Sequence, residues 1–353
     1  MQHSDICIAG AGIIGLSLAL ELHHRGARVT VLDRSFPLSE ASTAAAGMLA
    51  ARDPHNPQQL APLSNLSLSL YPAFLDRLHS LSDHRVPFHT SRTLQSVEPT
   101  DQTSLLTPND LKRLLPQLNP RSQTFTLLEE NSLDPHQMAA ALLAAITASS
   151  IDLRPHTSVN FVRPISNDTI EVHTPTDVIQ AAKFIDCTGA WSTASISPTH
   201  LPITPRKGQM FASILPPSLP LNLVLRTPEI YIVPRTAGPR AGRAIIGATI
   251  EDAGFDKTVH PADIDRLHSL ATNLLPLLAL APQLEAWAGL RPAAPDELPL
   301  LGPAPGRQNH FIATGHYRNG ILLAPATAHV MAQLLSGEQP SIDLKPFSPD
   351  RTA

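Results

Sequence analysis

Three glycines, Gly10, Gly12 and Gly15, stand between a strand-like run at 5–9 and a stretch at 13–25 with apolar residues at helical spacing. That context turns a common glycine pattern into a dinucleotide signal. Gly10 permits a tight turn, Gly12 lets the backbone approach a pyrophosphate, and Gly15 allows the helix to pack closely on the strand. The helix start then offers free N–H groups and partial positive charge to the phosphates. Asp33 ends the next strand-like run, where its carboxylate can accept from a ribose hydroxyl pair. Arg34 beside it would suit a 2′-phosphate, but Asp33 repels that group, so the pair favours FAD or NAD over NADP. In residues 41–49 small side chains and hydroxyls suit a loop lying along an extended cofactor, with Ser42 and Thr43 able to bond phosphate. The same alanines suit ordinary helix packing.

A second kind of chemistry is suggested further along the chain. A guanidinium holds a carboxylate through two parallel hydrogen bonds that set angle as well as distance. Arg291 follows the apolar Trp287-Ala288-Gly289-Leu290 and precedes Pro292, a setting expected to leave a strand end and point into a cavity. Its two readings are a carboxylate clamp and a structural partner for an acid such as Asp296. Tyr231 opens the strand-like 231–233, where it is either a phenolic donor to the same carboxylate or an amphipathic core residue. The 16 histidines show no metal-ligand spacing, and no metal is predicted.

These residues need elements to hold them. The opening reads as a βαβ unit: strand 5–9, helix 13–25 ended by Gly26, strand 28–32. A second central strand, 184–187, runs into Thr188-Gly189-Ala190 far from the first, as expected of one sheet built from distant segments. Asp134-Pro135 opens a further helix with a cap and a proline at its first position, and His260-Pro261 repeats the device. Short β-rich runs at 157–162, 169–173, 230–233 and 244–248 suggest a mixed or antiparallel sheet. The expected fold is α/β, or mixed α+β: a Rossmann-like FAD-binding domain (1–80, 134–200 and 285–353) interleaved with a substrate domain (81–133 and 201–284).

Composition narrows the class. At 353 residues the chain can bury an ample core in one large or two interleaved domains. A net charge of -4 with no basic run argues against a nucleic-acid binder and for a small-molecule partner. Two cysteines, Cys7 and Cys187, lie in apolar strand-like runs, which fits core positions in a reducing cytoplasm. The start carries no signal-peptide pattern, and the most apolar helical stretch, 138–148, is far short of the roughly 20 residues that cross a bilayer. A cytoplasmic location is expected.

Five segments then carry a family resemblance: Ser42-Thr43-Ala44-Ala45-Ala46-Gly47-Met48-Leu49, Tyr231-Ile232-Val233-Pro234-Arg235, Ile246-Gly247-Ala248-Thr249, Trp287-Ala288-Gly289-Leu290-Arg291-Pro292, and the turn Gly315-His316-Tyr317-Arg318-Asn319-Gly320 leading into an apolar helix. Together they closely resemble the D-amino-acid oxidase superfamily of flavoproteins, and within it the glycine oxidases of bacterial thiamine biosynthesis. The resemblance implies non-covalent FAD; no cysteine stands at 315–322, where related sarcosine oxidases attach theirs. It implies that Ile13, Ile14, Asp33, Arg34, Ser42, Thr43, Ala46, Gly47 and Met48 line FAD, beside the glycine turn. Val159 would meet the adenine, Thr188 and Gly189 the strand-end side, and His316, Tyr317, Arg318, Asn319, Gly320, Ile321 and Leu322 the isoalloxazine ring. The helix that opens at Gly320 and Ile321 has a physical reason to be there, since its amides can stabilise negative charge on a reduced ring. Arg291, Tyr231 and a second arginine, Arg318, are implied on the substrate side. The implied reaction is oxidative deamination of glycine or another small amino acid or amine, with O2 reduced to H2O2, in a homotetramer. Two departures, Glu229 in place of histidine and Ile250 in place of methionine, leave substrate preference open. Alternatives are a dehydrogenase that passes electrons to a quinone and a catalytically silent FAD-binding protein.

Overall fold

The computed structural model describes residues 2–99, 104–192, 196 and 201–352. The chain opens with strand β1 (Gln2–Ala9), helix α1 (Ile13–His24) and strand β2 (Val29–Leu32). A short α2 (Ala41–Ala44) and the long α3 (Ala61–Ser82) lead to β3 (Phe88–Val97), α4 (Pro108–Leu114) and β4 (Thr124–Leu133). Next come α5 (Pro135–Thr147) and strands β5 (Asp152–Arg154), β6 (Phe161–Ser166), β7 (Thr169–His173) and β8 (Val178–Asp186). Strands β9 (Thr204–Ile214), β10 (Val224–Arg226), β11 (Tyr231–Arg235) and β12 (Arg243–Gly247) precede α6 (Pro261–Leu274). The chain closes with β13 (Gln283–Ala293), β14 (Leu300–Pro303), β15 (His310–Thr314) and α7 (Gly320–Leu335).

Two sheets result. The first runs β14-β15-β8-β1-β2-β5, with β7 on β8 and β6 on β7. Its centre is parallel: β1 pairs with β2 on one side and β8 on the other. The βαβ opening and the distant strand at 184–187 therefore meet in one sheet, as expected. Helix α1 is buried on nearly all sides, because it lies between this sheet and helices α5 and α7; a helix apolar all round requires such a place. The second sheet runs β13-β9-β12-β11-β10-β3-β4 and is antiparallel except for the β3–β10 pair. Helix α6 covers it through Ile264, Leu267, Ala271 and Leu274.

The expected domain division needs one change. Strand β13 pairs along its length with β9, so residues 283–293 belong to the second sheet rather than to the nucleotide layer from 285 onward. The strand carries Arg291, so the boundary decides which sheet owns that residue. The expected boundary at 200 lies outside the described residues. The strand expected at 157–162 forms later, as β6 at 161–166; with β7 it folds onto the first sheet as an antiparallel hairpin, within the segment 134–200 expected in the nucleotide layer, while β11 and β12 lie in the second sheet. No helix among the described residues is long and apolar enough to cross a membrane.

Candidate active site

A cavity of about 650 Å³ lies between the two sheets, a size ordinary for cofactor and ligand clefts. Its first end is the βαβ turn. Gly10 has φ 101°, and a Cβ there would lie 2.3 Å from the Cys187 carbonyl oxygen, so only glycine fits. Gly15 does not line the cavity; a Cβ there would lie 1.9 Å from the Gly10 carbonyl oxygen, so its missing side chain lets the start of α1 pack closely on the turn. Gly12 caps the helix from an extended conformation, and the Ile13 amide donates to Ser42 Oγ at 2.9 Å. The carboxylate of Asp33 accepts from the amides of Ala11 at 2.7 Å and Ser35 at 2.8 Å, which fixes its angle toward the cavity. Burial nevertheless raises its pKa above the ordinary carboxylate range. Ile14, Arg34, Val159, Thr188 and Gly189 line the same end. Arg34 stacks 3.9 Å over the Trp191 ring, a residue the sequence did not single out.

The middle of the cavity is walled by backbone and small side chains: Ala46, Gly47 and Met48 on one side, Gly289 on the other. A Cβ on Gly289 would come within 2.6 Å of the Ala44 Cβ, so the second sheet touches α2. Two bonds tie that contact, Trp287 Nε1 to the Ala44 carbonyl at 3.1 Å and Arg235 Nη2 to the Ala46 carbonyl at 2.8 Å. Thr43 lies outside the cavity and donates its hydroxyl to the Leu38 carbonyl at 2.8 Å. The alanine run thus serves both readings, packing through α2 and wall-building beyond it.

The far end gathers the substrate-side candidates. The strands align Trp287, Met210, Gly247, Tyr231 and Arg226 across neighbouring strands of the second sheet, and directly paired side chains share one face. On the same face of β13, Arg291 lies over Gly208, where a Cβ would meet its Nη2 at 2.1 Å. Arg291 Nη1 donates to the carbonyls of Thr249 (3.1 Å) and Lys207 (3.3 Å). Asp296 is not its partner; that carboxylate pairs with Arg351 at 2.8 Å. The structural alternative for Arg291 therefore loses its acid. Gly247 makes the matching space for Tyr231, whose hydroxyl would lie 2.9 Å from a Cβ there. Burial pushes the Tyr231 phenol pKa up, and the neighbouring Arg291 guanidinium draws it partly back. Glu229 and Ile250 are both exposed at the cavity rim.

The turn before α7 completes this end. His316, Tyr317, Arg318, Asn319, Gly320 and Ile321 line the cavity, whereas Leu322 faces the core. His316 is buried, contacts Thr327 Oγ1 through Nε2 at 3.0 Å, and has its pKa driven down to about 3 by desolvation, so it is neutral at pH 7. Three lining residues carried no sequence signal that marked them for the site: Asp53, Met210 and Arg226. A wall of glycine and alanine between two helix N-termini, with an acid at a ribose position, fits an extended dinucleotide cofactor.

A glycine-rich turn on a sheet with a parallel centre, and a second, largely antiparallel sheet that closes the cavity and presents the Arg291 guanidinium without an acid partner among the described residues, is the arrangement of an oxidoreductase of the dinucleotide-cofactor class. The family model described as FAD dependent oxidoreductase, DAO, matches residues 5–334. The chain belongs to this family of FAD-dependent oxidoreductases, and its cofactor is FAD. The bifunctional protein ThiO/ThiG of Trichormus variabilis is 37% identical over 350 residues, covering 94% of this chain and 52% of that protein. This chain thus spans about half the length of that relative. The glycine oxidase of Pseudomonas aeruginosa is 33% identical over 369 residues, 98% of each chain. Among solved structures, glycine oxidase from Geobacillus kaustophilus superposes with a TM-score of 0.91 at 28% identity, covering 99% of this chain and 98% of that one.

Proposed function

We propose that the protein catalyses oxidative deamination of glycine or another small amino acid or amine, such as sarcosine, D-alanine or D-proline, to the oxo acid and ammonia, with methylamine leaving in place of ammonia from sarcosine and the nitrogen staying attached in the ring-opened product of D-proline. The observation that carries this is the Arg291 guanidinium, which lacks an acid partner among the described residues and faces the cofactor cavity beside Tyr231. A substrate carboxylate supplies the missing charge, and Arg291 with the protonated Tyr231 hydroxyl fixes its angle. Arg318 adds a second positive charge at the same end. Held there, the substrate presents its Cα–H to the cofactor, and its neutral amine lone pair drives the bond cleavage without a side-chain base. FAD, when bound, would supply the two-electron acceptor for this oxidation, with O2 reduced to H2O2. The imine that leaves takes up water to give oxo acid and ammonia.

Relatives named ThiO/ThiG carry this unit in about half their length, which supports the imine as a product handed to thiazole formation in thiamine synthesis. The family resemblance supports non-covalent FAD and a homotetramer, measurable by denaturing release of the flavin and by light scattering. A substrate panel on the FAD-loaded protein tests the reaction: anaerobic bleaching of the flavin by glycine, with one equivalent of peroxide on admitting air, is expected. Bleaching without peroxide assigns a dehydrogenase instead, and no bleaching by any amino acid overturns the reading.

A further inference from the structure

Arg318 is a long side chain, 31% exposed, at the end of the cavity where substrate is expected. Left alone, such a chain samples many rotamers, and ordering it costs entropy. The structure supplies an anchor that lies in neither the glycine turn nor the substrate sheet. Residues 50–56 form a turn after the alanine wall, closed by the Asn56 amide on the Asp53 carbonyl at 3.0 Å and by Asn56 Nδ2 on the Ala50 carbonyl at 2.8 Å. Two side chains of this turn reach two consecutive residues of the turn before α7. Asp53 Oδ2 lies 4.0 Å from Arg318 Nη1, and Asn56 Oδ1 accepts from Asn319 Nδ2 at 3.0 Å.

Asp53 is itself held. Its Oδ1 accepts from the His55 amide at 3.0 Å, and its Oδ2 lies 3.8 Å from Nε of Arg226 on β10. Arg226 is buried, hydrogen-bonds Gln95 through Nε, and pairs with Glu130 at 3.0 Å. One carboxylate oxygen therefore sits between two guanidinium groups, one from each layer of the molecule. These charges keep the Asp53 carboxyl ionised, below the usual range, although burial opposes them.

We propose that Asp53 is a positioning residue that fixes Arg318 over the substrate end of the cavity, with Arg226 as its fixed support in the second sheet. The proposal rests on the amino-acid reading above and adds to it the group that sets the second arginine. Its sign is informative. Asp53 is negative, so as a plain charge near the site it would repel a substrate carboxylate, and D53N would tighten binding. As a positioning residue its removal frees Arg318 and weakens binding.

The test is D53N, R318Q and the double variant, each purified with FAD and compared with the unaltered protein for melting temperature and flavin content. Glycine KM and kcat are measured, and glycolate binding is followed through the flavin absorbance. D53N is expected to raise both the glycine KM and the glycolate Kd by about tenfold. In the R318Q background D53N is expected to add little, because the two act through one another. Unchanged or lowered KM in a well-folded D53N overturns the proposal, as do fully additive effects. Should D53N lose its flavin, D53E, which keeps the charge one methylene further out, gives the same comparison: normal KM supports a role for the charge and a raised KM one for its position, while R318Q additivity still decides. Failure of the unaltered protein to bleach with any amino acid sinks the amino-acid reading, an outcome separate from a normal D53N.

Discussion

At the scale of single residues the site is shaped by what is missing as much as by what is present. Gly208 and Gly247 leave the spaces into which Arg291 and Tyr231 fold. Neither glycine lies in a left-handed conformation, so sterics above the strand, not backbone freedom, make them necessary. Adding a methyl at 208 places carbon 2.1 Å from the Arg291 Nη2, which must move the guanidinium. G208A is therefore expected to raise KM for amino-acid substrates while flavin content stays normal. R291K keeps the charge but loses the planar fork, and kcat/KM is expected to fall about 100-fold. Steady-state peroxide assays check both; an unchanged KM in R291K would remove the clamp from the mechanism.

Helix α7 shows how an element is made to serve the site against its own propensity. Pro325 has no N–H, so the Ile321 carbonyl loses its helical partner. Tyr71 on α3 donates its hydroxyl to that carbonyl at 2.5 Å, and Ser67 bridges the next break, donating to the Leu322 carbonyl at 2.6 Å and accepting from the Ala326 amide at 3.2 Å. The first turn, which faces the cavity, is thereby held by a neighbouring helix rather than by its own ladder. Y71F leaves a buried carbonyl unpaired and is expected to cost about 1–3 kcal/mol. Denaturant unfolding measures it, and a cost near zero would show that α7 needs no such support. The sequence signals a helix after Gly320, but the repair by α3 joins residues some 250 positions apart and has no local pattern.

For the whole molecule the two sheets are joined through buried charge. Arg235 of β11 bonds the Ala46 carbonyl and lies 3.8 Å from Asp134, the cap of α5; burial lowers its pKa to about 10, which leaves it charged at neutral pH. Stability should follow pH through His316. Its folded pKa, about 3, lies below the unfolded value near 6.5. Below pH 6.5 the unfolded chain binds a proton that the folded chain refuses, so the stabilisation present above that pH is lost as pH falls toward 3. Each unit across this window costs about 1.4 kcal/mol for this one group. H316Q, which can keep the contact to Thr327, is expected to flatten the fall in melting temperature between pH 7 and 5. Parallel pH profiles for the two proteins would refute the assignment.

Legible in the amino-acid sequence were the βαβ opening, the cofactor turn and the segments that mark the family, because each depends on residues close together in the chain: glycine spacing, apolar period, a carboxylate at a strand end. Tertiary structure decided which sheet holds Arg291, since β13 reads equally well beside either layer until β9 pairs with it. It also decided that Asp296 is taken by Arg351, that Thr43 turns away from the cavity, and that Asp53 stands between Arg226 and Arg318. These are matters of distance between segments far apart in the chain, and only the closing of one sheet over the other sets them.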